Sequence, residues 1–114
     1  MEDYLETILL LYKRKGKVRS IDIVNELGYS KASISIAMKG LRERKLIEMD
    51  EVGYITFTGE GLSIAERVLE RHNFLSNWLI SLGVSEQTAQ EDACRIEHDI
   101  SEETFTILKK YLQG

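Results

Sequence analysis

The residues of this 114-residue chain best equipped for chemistry lie toward its two ends. Cys94, Glu97 and His98 stand at positions i, i+3 and i+4. In a helix that spacing projects a thiol, a carboxylate and an imidazole from one side, where together they can chelate a divalent ion. Asp3 and Glu6 are one helical turn apart, so their carboxylates share a face, and proximity to a chain end suggests half-exposure for Glu6. His72 falls on an apolar stripe at helical spacing. Each residue also has a plainer explanation. Asp3 and Glu6 can complement a helix N-terminus, Cys94 can be a small core hydrophobe, His72 can be a hydrogen-bonded core histidine, and Glu97 with His98 can be solvated surface. Spacing alone leaves the metal site and these alternatives open. An enzyme with Cys94 as nucleophile and His98 as base is not expected, because no third orienting group, oxyanion donor or glycine-rich phosphate loop accompanies the pair.

Short periodic segments must position these groups. Tyr4, Leu5, Ile8, Leu11 and Tyr12 predict a helix from Asp3 to about Lys15, ended by Gly16. Ser20 is expected to cap a short helix with Ile21, Val24 and Leu27 inward and Gly28 at its end. Ser30 opens a third to about Lys45, with Ile34, Ala37, Met38 and Leu41 inward. Two short helices around a glycine turn are the pattern of a helix-turn-helix. Leu46–Met49 and Tyr54–Phe57 then predict two strands joined by Asp50-Glu51-Val52-Gly53, a hairpin placed as the wing of a winged helix. Thr58 caps a long helix to about Ser81, with Leu62, Ala65, Val68, Leu69, His72, Leu75 and Leu79 on one stripe, and Gly83 breaks it. Ser85 opens another to about Ile100, and Ser101 a last one to about Leu112.

Composition narrows the function classes. Hydrophobic residues at 43% and charged residues at 30% suit a globular chain. One cysteine excludes an internal disulfide framework and a four-cysteine zinc site. The chain opens on acidic residues before its apolar run at Ile8–Leu11, the wrong order for a signal peptide, and no stretch approaches a membrane span, so a cytoplasmic location is expected. Net charge is −4, yet residues 11–45 sum to +7 and the remainder to −11. Such polarity gives one face suited to a polyanion. The third helix presents Lys31, Ala32, Ser33, Ser35, Ile36 and Lys39 outward: small and polar residues able to approach base edges, with flanking bases. Ala32 or Ile36 suits a thymine methyl, while Lys31, Lys39, Arg42 and Arg44 suit phosphates.

Five runs carry a family resemblance that covers essentially the whole length: Glu2-Asp3-Tyr4-Leu5-Glu6-Thr7-Ile8, Ser30-Lys31-Ala32-Ser33-Ile34-Ser35, Phe57-Thr58-Gly59-Glu60-Gly61, Arg71-His72 and Ala93-Cys94-Arg95-Ile96-Glu97-His98. The chain resembles the metal-dependent transcriptional repressors related to the diphtheria toxin repressor and the manganese transport regulator. The resemblance implies a mainly α fold with a small β-hairpin. It implies a winged helix-turn-helix over residues 1–60 and a helical metal-binding and dimerisation region over 61–114. It also implies that Asp3, Glu6, His72, Cys94, Glu97 and His98 are metal ligands, and that metal fixes the spacing of two recognition helices in a homodimer for a palindromic operator in double-stranded DNA.

Departures from the pattern refine this expectation. Asp3 and Glu6 match the manganese branch, whereas Cys94 matches the iron branch. Gln90 and Ser76 stand where the iron branch places an ancillary histidine and glutamate, so an adjacent metal pair built around Glu6 and Glu97 is expected instead. Ile36 replaces a polar base-reading residue. As in the manganese branch, no SH3-like domain is expected after Gly114. Carboxylates and imidazoles suit Mn(II) or Fe(II); a thiolate shifts preference toward Fe(II), and in vitro toward Co(II), Ni(II) or Zn(II). The expectation is therefore a homodimeric repressor activated by Fe(II) or Mn(II). Its nearest rival is a winged-helix regulator responding to a small organic ligand, and a metal buffer is disfavoured by the basic recognition helix.

Overall fold

A computed structural model describes residues 2–113, in two compact units, the first ending at Glu66 and the second beginning at Arg67. In chain order the elements are α1 (Glu2–Lys15), β1 (Val18–Arg19), α2 (Ser20–Leu27), α3 (Lys31–Glu43), β2 (Ile47–Met49), β3 (Tyr54–Phe57), α4 (Gly59–Ser81), α5 (Glu86–Asp99) and α6 (Glu102–Gln113). The expected architecture, mainly α with a small β-hairpin as the wing, is observed, with β1 adding a third strand to the hairpin.

In the first unit the three strands form an antiparallel sheet in the order β1-β3-β2. Val18 pairs with Ile55, and Ile47 with Phe57. Val18, Ile47 and Ile55 are buried together with Ile8, Ile23, Ile34, Met38 and Leu41, each such side chain contributing about 1.5–3 kcal/mol on burial. β1 is absent from the sequence expectation because two residues carry no alternation to detect.

The ends of the elements follow local chemistry. Ser30 precedes α3 with extended backbone, and its hydroxyl oxygen accepts a hydrogen bond from the Ser33 N–H at 3.1 Å, a cap worth about 1 kcal/mol. Ser20 does not cap α2. Arg19 takes that place because the Asp22 carboxylate reaches back to accept its N–H at 2.9 Å, which makes Ser20 the first helical residue. The helix then turns Ile23 into the core and leaves Ile21 43% exposed, a correction to the expected stripe. Tyr12 and Leu62 are likewise exposed. Gly28 ends α2 at φ 72°, in the left-handed region that favours glycine.

The wing is a tight hairpin. Asp50 accepts from the N–H groups of Val52 and Tyr54 at 3.0 and 2.9 Å. Beyond β3, Thr58 donates its hydroxyl to the Lys45 carbonyl at 2.7 Å and accepts the Gly61 N–H at 3.1 Å, while its own N–H donates to the Leu46 carbonyl. Here the start of α4 passes so close to Leu46 that a Cβ on Gly61 would stand 1.8 Å from that carbonyl oxygen.

In the second unit Leu75, Ala93 and Phe105 form the buried centre, with Phe74, Trp78, Ile96 and Ile100 packed around it. Phe74 meets Phe105 edge-on, 5.6 Å between centroids. Ser85 and Ser101 cap α5 and α6 as expected, accepting from Thr88 and Thr104. No helix among the described residues is long and apolar enough to cross a membrane.

Candidate metal centre and nucleic-acid interface

On α3 the buried side is Ile34, Met38 and Leu41, so the helix must turn the opposite side outward. Lys31, Ala32, Ser33, Ser35, Ile36, Lys39 and Arg42 are all exposed there, Ile36 at 75%. Part of the positive charge of this segment is consumed within the unit: Arg14 pairs with Glu26 at 2.9 Å and Lys15 with Asp22 at 2.7 Å. Among the described residues no ion pair engages Lys31, Lys39 or Arg42, which leaves their charges directed at solvent. Lys17 and Arg19 add two cations over the Tyr54 ring, 5.1 and 5.6 Å from its centroid, and Arg19 donates to the Val52 carbonyl at 2.8 Å. The sequence reading missed this pair, since it depends on the pairing of β1 with β3.

The second unit brings four of the six candidate ligands together. Cys94, Glu97 and His98 project from one side of α5, a donor atom of each within 4.8 Å of the others. Cys94 is half-buried, His98 exposed, and the Glu97 side chain fully buried. From α4, His72 places Nδ1 3.1 Å from Glu97 Oε2. Its Nε2 lies 3.0 Å from Gln90 Oε1. The Glu97 backbone carbonyl accepts from Arg71 Nη1 at 3.3 Å, and that guanidinium lies 5.1 Å above the Phe105 ring. Arg71 and Gln90 were not among the expected functional residues; their contacts with Glu97 and His72 form only once α4 and α5 are packed.

A carboxylate taken wholly out of water is unfavourable unless other groups compensate its charge. Glu97 Oε1 is buried with no hydrogen-bond partner among the described residues, although His98 Nε2 lies 3.4 Å away. A divalent cation supplies what this oxygen lacks, and thiolate, carboxylate and imidazole are a donor set such cations accept. The residues present fit a metal. Asp3 and Glu6 lie on α1 in the first unit, Asp3 exposed. Glu6 is 9% exposed, not half-exposed as its position near a chain end suggested, because α1 is buried nearly all round from Leu5 to Leu9.

Residues 58–114 match the iron-dependent repressor metal-binding and dimerisation domain. The transcriptional regulator MntR of Escherichia coli O6:H1 is 35% identical over 113 residues, which span 99% of this chain and 73% of the relative. The chain belongs to the diphtheria toxin repressor and manganese transport regulator family of metal-dependent transcriptional repressors. Solved structures within the family agree. T. acidophilum IdeR superposes with a TM-score of 0.83 at 28% identity, covering 99% of this chain and 54% of that one. The manganese regulator SloR gives 0.85 at 26% identity, covering 98% and 53%. The relatives are transcriptional regulators by name, in line with the expectation of a regulator and not an enzyme.

Proposed function

We propose that this repressor acts in the cytoplasm as a homodimer that binds a palindromic operator when Fe(II) or Mn(II) occupies a site made by Asp3, Glu6, His72, Cys94, Glu97 and His98. The observation that carries the metal assignment is the cluster on α5: a half-buried thiol, a buried carboxylate with one oxygen unbonded, and an imidazole within 4.8 Å of one another. A sulfur donor beside carboxylates tilts the preference toward Fe(II) over Mn(II).

The switch follows from charge. Clustered carboxylates disfavour a closed arrangement without metal, and a dication reverses the sign of that interaction. For metal to act as co-repressor it must bind the DNA-competent state more tightly than the other, and DNA then tightens metal binding by the same factor. On the DNA side, Lys31, Lys39 and Arg42 supply phosphate contacts, and Ala32, Ser33, Ser35 and Ile36 face the base edges.

The test is a Co(II) titration of chelator-stripped protein, read by near-ultraviolet absorbance, beside Cys94→Ser. A saturable thiolate-to-metal band present in the wild type and missing in the variant is expected. Binding without that band removes Cys94 from the ligand set. No binding at all refutes the metal reading and leaves a winged-helix regulator responding to another signal.

A further inference from the structure

We propose that Gln90 is a positioning residue that fixes the tautomer of His72 and so determines which ring nitrogen meets the metal. The inference rests on the metal reading above and adds to it a residue outside the ligand set. Gln90 and Glu97 are seven residues apart on α5, two turns along the same face. His72 of α4 reaches between them, with Nδ1 3.1 Å from Glu97 Oε2 and Nε2 3.0 Å from Gln90 Oε1.

A neutral imidazole has one bare nitrogen and one that carries hydrogen, and only the bare one can ligate. Glu97 is itself a candidate ligand, so the nitrogen beside its carboxylate is the one that shares its metal. That nitrogen is Nδ1. The hydrogen then belongs on Nε2, where the amide oxygen of Gln90 accepts it. Such an outer hydrogen bond also fixes the plane of the ring and raises the basicity of the ligating nitrogen. Glutamine suits this task because its side-chain oxygen accepts without adding a charge to a site already rich in carboxylates. The side chain of His72 is only 15% exposed, so water has limited access to replace Gln90.

The experiment uses the full chain, in the wild type, Gln90→Leu and Gln90→Glu, with Zn(II) as a diamagnetic probe. Long-range nitrogen–proton correlation spectra read the His72 tautomer, and chelator competition reads the Zn(II) dissociation constant. The wild type is expected to bind Zn(II) through Nδ1 with hydrogen retained on Nε2. Gln90→Leu is expected to weaken Zn(II) about ten- to a hundredfold, and Gln90→Glu, which keeps an acceptor, to restore affinity. A merely structural Gln90 would leave the tautomer unmoved. Ligation through Nε2, a Gln90→Leu affinity equal to wild type, or a Gln90→Glu variant as weak as Gln90→Leu each overturns the role of Gln90 while leaving the metal site standing. A wild-type His72 that does not respond to Zn(II) overturns His72 as a ligand, and the proposal with it.

Discussion

Gly61 offers a quantitative test of how the wing is joined to α4. A Cβ built there lies 1.8 Å from the Leu46 carbonyl oxygen and 2.7 Å from its carbon, both backbone atoms, so relief requires the chain to move. The same Leu46 carbonyl accepts the Thr58 N–H at 3.1 Å, and Thr58 is tied to Lys45 at 2.7 Å, so the displacement is felt by both bonds. Helix propensity alone predicts that Gly61→Ala stabilises by up to about 1 kcal/mol. Overpacking of this kind costs about 1–3 kcal/mol, and each strained hydrogen bond adds about 1 kcal/mol. With both hydrogen bonds strained and the propensity gain subtracted, the net is a destabilisation of about 2–4 kcal/mol, which in a chain of this size lowers Tm by about 8–16 °C. Gly59 is the matched control: it begins the same helix, and a Cβ there meets nothing within 4 Å. Gly59→Ala is therefore expected to leave Tm unchanged or raise it slightly. Thermal unfolding of both variants, followed by far-ultraviolet circular dichroism, decides the matter. A Gly61→Ala protein as stable as wild type would refute the close approach.

Two other outcomes follow. Lys39→Ala should weaken binding to all duplexes alike and reduce the slope of log K against log salt by about one; a loss confined to one sequence, measured by fluorescence anisotropy, would contradict a phosphate contact. The hydrogen bond from the Lys15 ammonium, then that from the Arg19 N–H, holds the Asp22 carboxyl below its ordinary range. A depressed folded-state pKa gives stability that is present above the unfolded value, about 3.9, and lost as pH falls through the folded one. Asp22→Asn should consequently melt below wild type at pH 7, with the gap closing as pH falls below the ordinary carboxylate range. A gap independent of pH would show that charge plays no part.

Much of the architecture was legible in the sequence because local signals mark it. Ser30, Thr58, Ser85 and Ser101 cap the helices they were expected to cap, and Gly28 and Gly83 end segments through positive φ. The Asp50–Gly53 turn announced the wing. What escaped depends on partners distant in sequence. β1 exists only by pairing with β3, and the Lys17–Tyr54–Arg19 cluster is a product of that pairing. The register of α2 was misjudged at Ile21 because the Asp22 carboxylate, not the Ser20 hydroxyl, sets where the helix begins. For the metal centre, i, i+3, i+4 spacing placed Cys94, Glu97 and His98 on one face. That His72 stands against Glu97, with Gln90 behind it, needed the packing of α4 on α5. The burial of Glu6 was hidden by its position near a chain end, where exposure is the default.

The exposed Ile36 on α3 has a consequence for how DNA is held. In the proposed complex its gain comes from removing apolar surface from water, about 1.5–3 kcal/mol if fully covered. No counterion is released by that contact, so salt leaves it untouched while the lysine and arginine contributions fade. Burying apolar surface also lowers the heat capacity of the complex, and the hydrophobic gain weakens on cooling. In that complex the two kinds of contact thus answer to separate variables: ionic strength sets the hold on the phosphates, and temperature the hold of Ile36 on a methyl-bearing base.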